Sequence, residues 1–198
     1  MVCVVACSLL VAAYVGLVRP RHLCWGASRE EAEGPMPGDD LVSEPTLVST
    51  RAISIDGPPE AVWPWIAQLG QGRGGFYSYD WIENLIGLDI HSADRVLAEH
   101  QRPAPGDRVA LAPDGWGLDI ELVEHNRLLV LGEPDGGLTW TFVLVPEDGG
   151  TRLLVRNRWT TAGRPIPFRL LMALIEPAAF VMEQKMLRGI RQRAERAA

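Results

Sequence analysis

Residues 61–87 read AVWPWIAQLGQGRGGFYSYDWIENLIG. They carry Trp63, Trp65, Phe76, Tyr77, Tyr79 and Trp81, six of the chain's fourteen aromatic residues. A glycine-rich break at 69–75 divides them into two short helical patterns. Pro58-Pro59 opens the first, because proline is tolerated in a first helical turn. Pro64 within it removes a backbone donor and predicts a kink. Ser78 is a suitable N-cap for the second, Asp80 complements its dipole, and Gly87 suits its end. Two short aromatic helices joined by a glycine hinge suit a lid over a cavity, with Gly72–Gly75 as the moving part. The competing reading of each aromatic is plain core filler.

Ahead of this stretch, Thr46–Asp56 alternates, with Ile53 and Ile55 on one face, and predicts a strand before the two helices. After the helices a loop-rich section runs to Gly106. From Asp107 onward, runs at 108–112, 117–124, 127–132, 138–145 and 151–160 are separated by turn clusters such as Pro134-Asp135-Gly136-Gly137 and Glu147-Asp148-Gly149-Gly150. Leu118, Ile120 and Leu122 alternate with acids, which predicts one buried and one wet face. Residues 165–196 form a last helix with Leu171, Leu174, Ala178, Met182 and Met186 at helical spacing, which Pro177 is expected to kink or split. Strand, two helices, a strand meander and a long helix need no parallel crossover. The fold class is therefore α+β, an antiparallel sheet curled around one C-terminal helix.

PPEAVWPWIAQLGQGRGGFYSYDWIENLIGLDIHSADRV (58–96) and EPAAFVMEQKMLRGIRQRAE (176–195) resemble the actinobacterial branch of the helix-grip (START-like, SRPBCC) superfamily. The resemblance covers about residues 47–196. It implies the helix-grip fold and a place among lipid-transfer domains, polyketide cyclases and dehydratases. It does not select one function, because this scaffold hosts carriers, enzymes and sensors.

The first 18 residues have no charged side chain, which is the lower edge of what spans a bilayer. They read as a membrane anchor, and residues 19–45, rich in Pro, Gly and acids, as a polar linker to a domain at 46–198. Arg19 and Arg21 predict a single pass in the cell membrane with the domain on the cytoplasmic side. A net charge of −6 without a central basic patch argues against nucleic acid. Cys3, Cys7 and Cys24 are the only cysteines, so the domain has no disulfide framework.

Gly70, Gly72, Gly74 and Gly75 follow a helix instead of a strand and do not fit a dinucleotide fingerprint. His91 with Asp89 and Asp94 has no metal-ligand spacing, and no serine has an evident base. No metal, cofactor or catalytic nucleophile is expected. What remains is a mostly apolar cavity with a few placed polar groups. On 138–145, Leu138, Trp140, Phe142 and Leu144 share a face. On 151–160, Leu153, Val155, Asn157 and Trp159 share one, provided that Arg152, Arg156 and Arg158 stay in water. The candidate ligand-binding residues are Trp65, Gln68, Arg73, Tyr77, Trp81, Trp140, Phe142, Asn157, Trp159 and Met182, with Glu83 a further polar group on the lid. Asn157 is expected to strand no buried partner when replaced by Leu. The first functional reading is binding of a lipid, isoprenoid or polyketide-like molecule. The alternatives are a non-covalent cyclase or dehydratase, marked by an ionisable group such as Glu83 or Asp80 in the cavity with a raised pKa, and a ligand-free interaction module.

The anchor predicts that full-length protein sediments with membranes and resists alkaline carbonate extraction, while a chain starting near Pro45 does not sediment. Full-length protein that stays in the supernatant would remove the anchor.

Overall fold

The computed structural model describes residues 12–197. Six strands, β1 (Leu47–Ile55), β2 (Arg108–Ala110), β3 (Gly117–Glu124), β4 (Leu128–Gly132), β5 (Leu138–Glu147) and β6 (Gly150–Trp159), form one sheet in the order β1-β6-β5-β4-β3-β2. Every neighbouring pair is antiparallel. The meander is set by its turns. Glu147 pairs with Gly150 across a two-residue loop, and Gly149 there takes φ +82°, which favours glycine. The helices are α1 (Arg19–Leu23), α2 (Arg29–Glu33), α3 (Pro59–Ala67), α4 (Asp80–Leu85) and α5 (Ile166–Ala197).

The period-2 reading of the strands holds for β1, β5 and β6. Ile53, Ile55, Phe142, Leu144, Leu153 and Val155 join one apolar cluster with Trp63, Ile66 and Leu69 of the α3 region. The cluster's members on α5 are Met186, Leu187, Ile190 and Ala194. Helix and lid approach closely at Gly189, where an added Cβ would lie 2.4 Å from the Tyr77 carbonyl oxygen.

Four expectations change. On β3 the register with β4 shifts between Ile120 and Leu122. A bulge reverses the parity of the strand residues beyond it, so Leu122 is exposed and Val123 packs on the core instead. Helix α5 runs through Pro177 as one element, and its first turns present Leu171 and Leu174 to solvent, because core contact on this helix begins only at Met186. The α4 N-cap is Tyr79 without a side-chain cap bond, since Ser78 Oγ donates to Glu83 instead. The fourth change concerns the N-terminal segment.

Residues 25–42 are not a free tether. They lie along the sheet's second face as a strap. Ala52 N–H donates to the Trp25 carbonyl (3.1 Å), and α2 starts with a capping box between Ser28 and Glu31. The outward arginines of β6 bind this strap. Arg152 meets Glu31 through two 2.8 Å bonds. Arg156, only 3% exposed, donates to Thr50 Oγ1, Asp39 and the carbonyls of Glu31, Ala32 and Gly34. Arg158 donates to the Val42 carbonyl. Burying a charge is expensive unless it is paired, and the acids that made the segment look like a linker supply the partners. Of the anchor reading, residues 1–11 lie outside the described residues. Among the described residues no helix is long and apolar enough to cross a membrane.

Replacing Arg156 by Met strands three carbonyls and removes the nearer of the two cations at Asp39. It is expected to lower stability by about 3 kcal/mol or more in urea unfolding and to speed amide exchange across 29–42. Unchanged exchange there would show that the strap is held by other contacts.

Candidate functional site

Along β1 the inward positions run Leu47, Ser49, Arg51 and then Ile53 and Ile55. The same side of β6 runs Trp159, Asn157 and then Val155. Register sets Leu47 opposite Trp159 and Ser49 opposite Asn157, while β5 sets Leu138 opposite Trp159 and Trp140 opposite Asn157. At this end the inner face is part polar, and α5 does not close on it. A cavity of about 260 Å³ remains, walled by these residues, by Glu176, Ala179, Met182, Glu183 and Met186 of α5, and by Phe76, Ser78 and Glu83 of the lid.

Its floor is a buried charge cluster. Arg51 and Glu183 form an ion pair, both almost fully buried. Arg51 Nε also donates to the His22 carbonyl (2.9 Å), and its guanidinium lies over the Phe180 ring, 5.2 Å from the centroid. Glu183 Oε1 accepts from Asn157 Nδ2 (2.8 Å) and Trp140 Nε1 (3.1 Å). One turn pair earlier, Glu176 accepts from Arg19 Nε (2.7 Å) and Nη2 (2.8 Å), a bidentate clamp. His22 lies 3.4 Å from Glu176, and burial, with Arg51 and Arg19 adding, holds its pKa below the ordinary histidine value against the pull of Glu176.

The lid contributes Glu83. Its Oε1 accepts from Ser78 Oγ (2.7 Å), while Oε2 is buried without a hydrogen-bond partner. Burial pushes its carboxyl above the ordinary glutamate range; the nearby Asp80 adds to this and the Ser78 hydroxyl opposes it. Asp80 is itself engaged by the amide (2.7 Å) and hydroxyl (2.6 Å) of Ser92. Among the described residues no group of three or more His, Cys, Asp or Glu could hold a metal ion.

Of the residues the sequence nominated, Trp140, Asn157, Trp159 and Met182 line the cavity. Phe142 lies one layer below, its ring 4.8 Å from that of Trp140. Trp65, Gln68, Arg73 and Tyr77 belong to the lid's own scaffold. The Trp65 and Tyr77 rings meet edge on at 5.9 Å. Gln68 donates to Tyr77 Oη and accepts from the Leu97 amide, and Arg73 donates to the Ala67 carbonyl at the end of α3. Trp81 is 69% exposed and faces away. Asn157 points inward as expected, but not because its neighbouring arginines stay in water, and it does have a buried partner. Replacing it by Leu removes a donor from Glu183.

The glycine-rich segment forms a tight turn. Gly70 and Gly75 exchange backbone hydrogen bonds (3.1 and 3.0 Å), and a Cβ on Gly74 would lie 2.7 Å from both Gln68 and Tyr77 Oη. Close approach requires glycine at 74 and 75, while a Cβ on Gly72 would meet nothing within 4 Å. Sequence reading missed Ser49, Arg51, Glu176 and Glu183. The signal was present. Arg51 is in phase with Ile53 and Ile55, and Glu176 and Glu183 stand seven apart on the face that carries Met182 and Met186.

No protein-family model and no curated protein matches the chain. Solved structures to which it is similar include a polyketide-cyclase-like protein from Corynebacterium glutamicum (16% identity, 73% of this chain and 89% of that one, TM-score 0.44). An AHSA1-like protein from Aeromonas hydrophila shows 17% identity over 76% of this chain and 94% of that one, with TM-score 0.40. A Bacillus halodurans protein shows 14% identity over 76% and 99%, with TM-score 0.49. Likeness at this level carries nothing about activity. The chain's own sheet order and the long helix lying on the sheet's inner face make its fold the α+β helix-grip (START-like) fold.

Proposed function

We propose that the protein binds a small hydrophobic molecule between the sheet, the lid and α5. The observation that carries this is the cavity itself. It has an apolar wall of Leu47, Phe76, Leu138, Trp140, Trp159 and Met182, interrupted by Ser49, Asn157 and carboxylates, which is how small-molecule sites are built. Its volume of about 260 Å³ lies just below the usual range of such sites, about 300–1,000 Å³. That size favours a short isoprenoid or a compact polyketide-like ring over a two-chain lipid. A collapsed, ligand-free module is the reading this volume supports least. A site at a membrane surface, reached through an anchor in the first 18 residues, remains part of the proposal. Arg19, one of the two cations behind the predicted orientation, is already clamped by Glu176, which weakens that bias.

One observation favours a second reading, acid–base chemistry on a bound polyketide-like substrate. A buried carboxyl held above its ordinary range is a candidate general acid, and Glu83 is such a group in the cavity wall.

Ala179→Trp fills the cavity from α5. It is expected to weaken binding of N-phenyl-1-naphthylamine more than about tenfold, while overpacking destabilises the fold by about 1–3 kcal/mol. Equal affinity in both proteins would place the probe elsewhere. The raised pKa of Glu83 has its own consequence. The native state holds this proton more tightly than the unfolded chain. Stability therefore falls as pH rises from the ordinary glutamate range through the native titration of Glu83. Glu83→Gln should match wild type at low pH and exceed it in Tm at neutral pH. Parallel Tm–pH curves would show that Glu83 is not held protonated.

A further inference from the structure

The charges in the cavity wall are unequal. Among the described residues that line it are three carboxylates, Glu83, Glu176 and Glu183, and one cation, Arg51. Arg51 is committed to Glu183, and Arg19, reaching in beside His22, is committed to Glu176. Glu183 has further donors in Asn157 and Trp140. Asp80, nearest to Glu83 on the lid, is satisfied by Ser92. Lys185 of α5 lies over the Tyr79 ring, its ammonium 5.9 Å from the centroid. Of the described ionisable residues that line the cavity, Glu83 alone keeps a buried oxygen without a partner; behind the wall, His22 Nδ1 is likewise unpartnered. It is 7% exposed, one oxygen is held by Ser78, and Oε2 has no partner. A buried acceptor left unsatisfied costs its full desolvation, and more when the group is charged.

The geometry points to Glu83 as the recognition group for the polar end of the ligand, and to an amine-headed amphiphile as the ligand class, with carboxylate- and phosphate-headed molecules excluded. The inference rests on the cavity being the binding site. An ammonium placed against Oε2 supplies the missing donor and neutralises the buried carboxylate in one contact. Its apolar body then lies along Phe76, Trp140 and Met182. An anionic head meets no free cation in the wall and adds a second negative charge beside Glu83, which burial does not screen. A hydroxyl supplies the donor without the charge and ranks between the two. Because the amine pairs with the ionised carboxyl, its affinity must rise with pH through the titration of Glu83 and then level off. His22, behind Glu176, is the other group in the cluster whose pKa is displaced, downward by burial, and it is common to wild type and variant.

The test is titration of the full-length protein with decylamine, decan-1-ol and decanoate, each below its micelle concentration, followed by tryptophan fluorescence and calorimetry. The expected order of affinity is amine, alcohol, carboxylate. Glu83→Gln is expected to weaken the amine about tenfold or more, to leave the alcohol within about threefold, and to flatten the pH dependence of amine binding. Equal binding of all three probes, or tightest binding of decanoate, would overturn the assignment to Glu83 and leave the cavity as the site. If none of the three binds and N-phenyl-1-naphthylamine is not held either, the cavity reading falls and this inference with it. Should Glu83→Gln fail to fold, the wild-type affinity order and its pH profile decide the question.

Discussion

The Arg51–Glu183 pair joins the first strand to the last helix, and the shape of the interior depends on it. Taking two charges out of water is expensive, and their mutual attraction offsets the cost only when every remaining hydrogen-bonding position is used. Here they are used. Asn157 and Trp140 donate to the carboxylate, the His22 carbonyl accepts from the guanidinium, and Phe180 covers its face. Such a pair is weak evidence for stability but strong evidence for position. It fixes α5 against β1 at one place and in one rotation. Beyond it, toward Ile53, Val155 and Leu187, the interior is apolar and closed. On its other side lies the cavity. The pair therefore marks where packing stops and a binding space begins.

The opposite face of the sheet obeys the same rule. Arg152, Arg156 and Arg158 project from β6 away from the cavity and are covered by residues 25–42, whose acids and carbonyls satisfy them. Both faces of the sheet thus carry charge, Arg51 of β1 on the inner one and the β6 arginines on the outer one, and each is answered by a segment distant in the chain. Glu83 is the exception among the groups that line the cavity. A native interior keeps few unsatisfied buried polar groups, and each calls for an explanation. A ligand that supplies the missing donor is one.

The lid's glycines also serve close packing. Gly74 and Gly75 admit the side chain of Gln68 and the backbone of His91 and Ser92 at distances no Cβ would allow. Tyr77, at φ +57°, is held by Ser92 and covered by Gly189 of α5 and by the Arg193 guanidinium, 4.7 Å above its ring. The aromatics Trp63, Trp65 and Tyr77 brace the lid from behind and do not form the cavity wall. The surfaces that meet a ligand come mainly from the strands and α5.

Features under short-range control could be read directly from the chain. Alternation along β1, β5 and β6 placed Trp140, Asn157 and Trp159 on the inner face, because successive strand residues point to opposite sides. Turn residues such as Asp148-Gly149 set the antiparallel order, and helical spacing found Met182 and Met186. Features that depend on a distant partner or on one displaced residue became legible only in the folded molecule. The bulge at Glu121 exchanged Leu122 for Val123, although the local pattern was regular. Residues 25–42 read as a linker because their acids look solvated until Arg152 and Arg156 are brought to them. Arg51 and Glu183 are 132 residues apart, and Arg156 and Asp39 are 117 apart. No window of sequence contains both halves of either pair. A charged side chain on an inward position reads as an error until its partner is folded against it, because only pairing makes its burial tolerable in free energy.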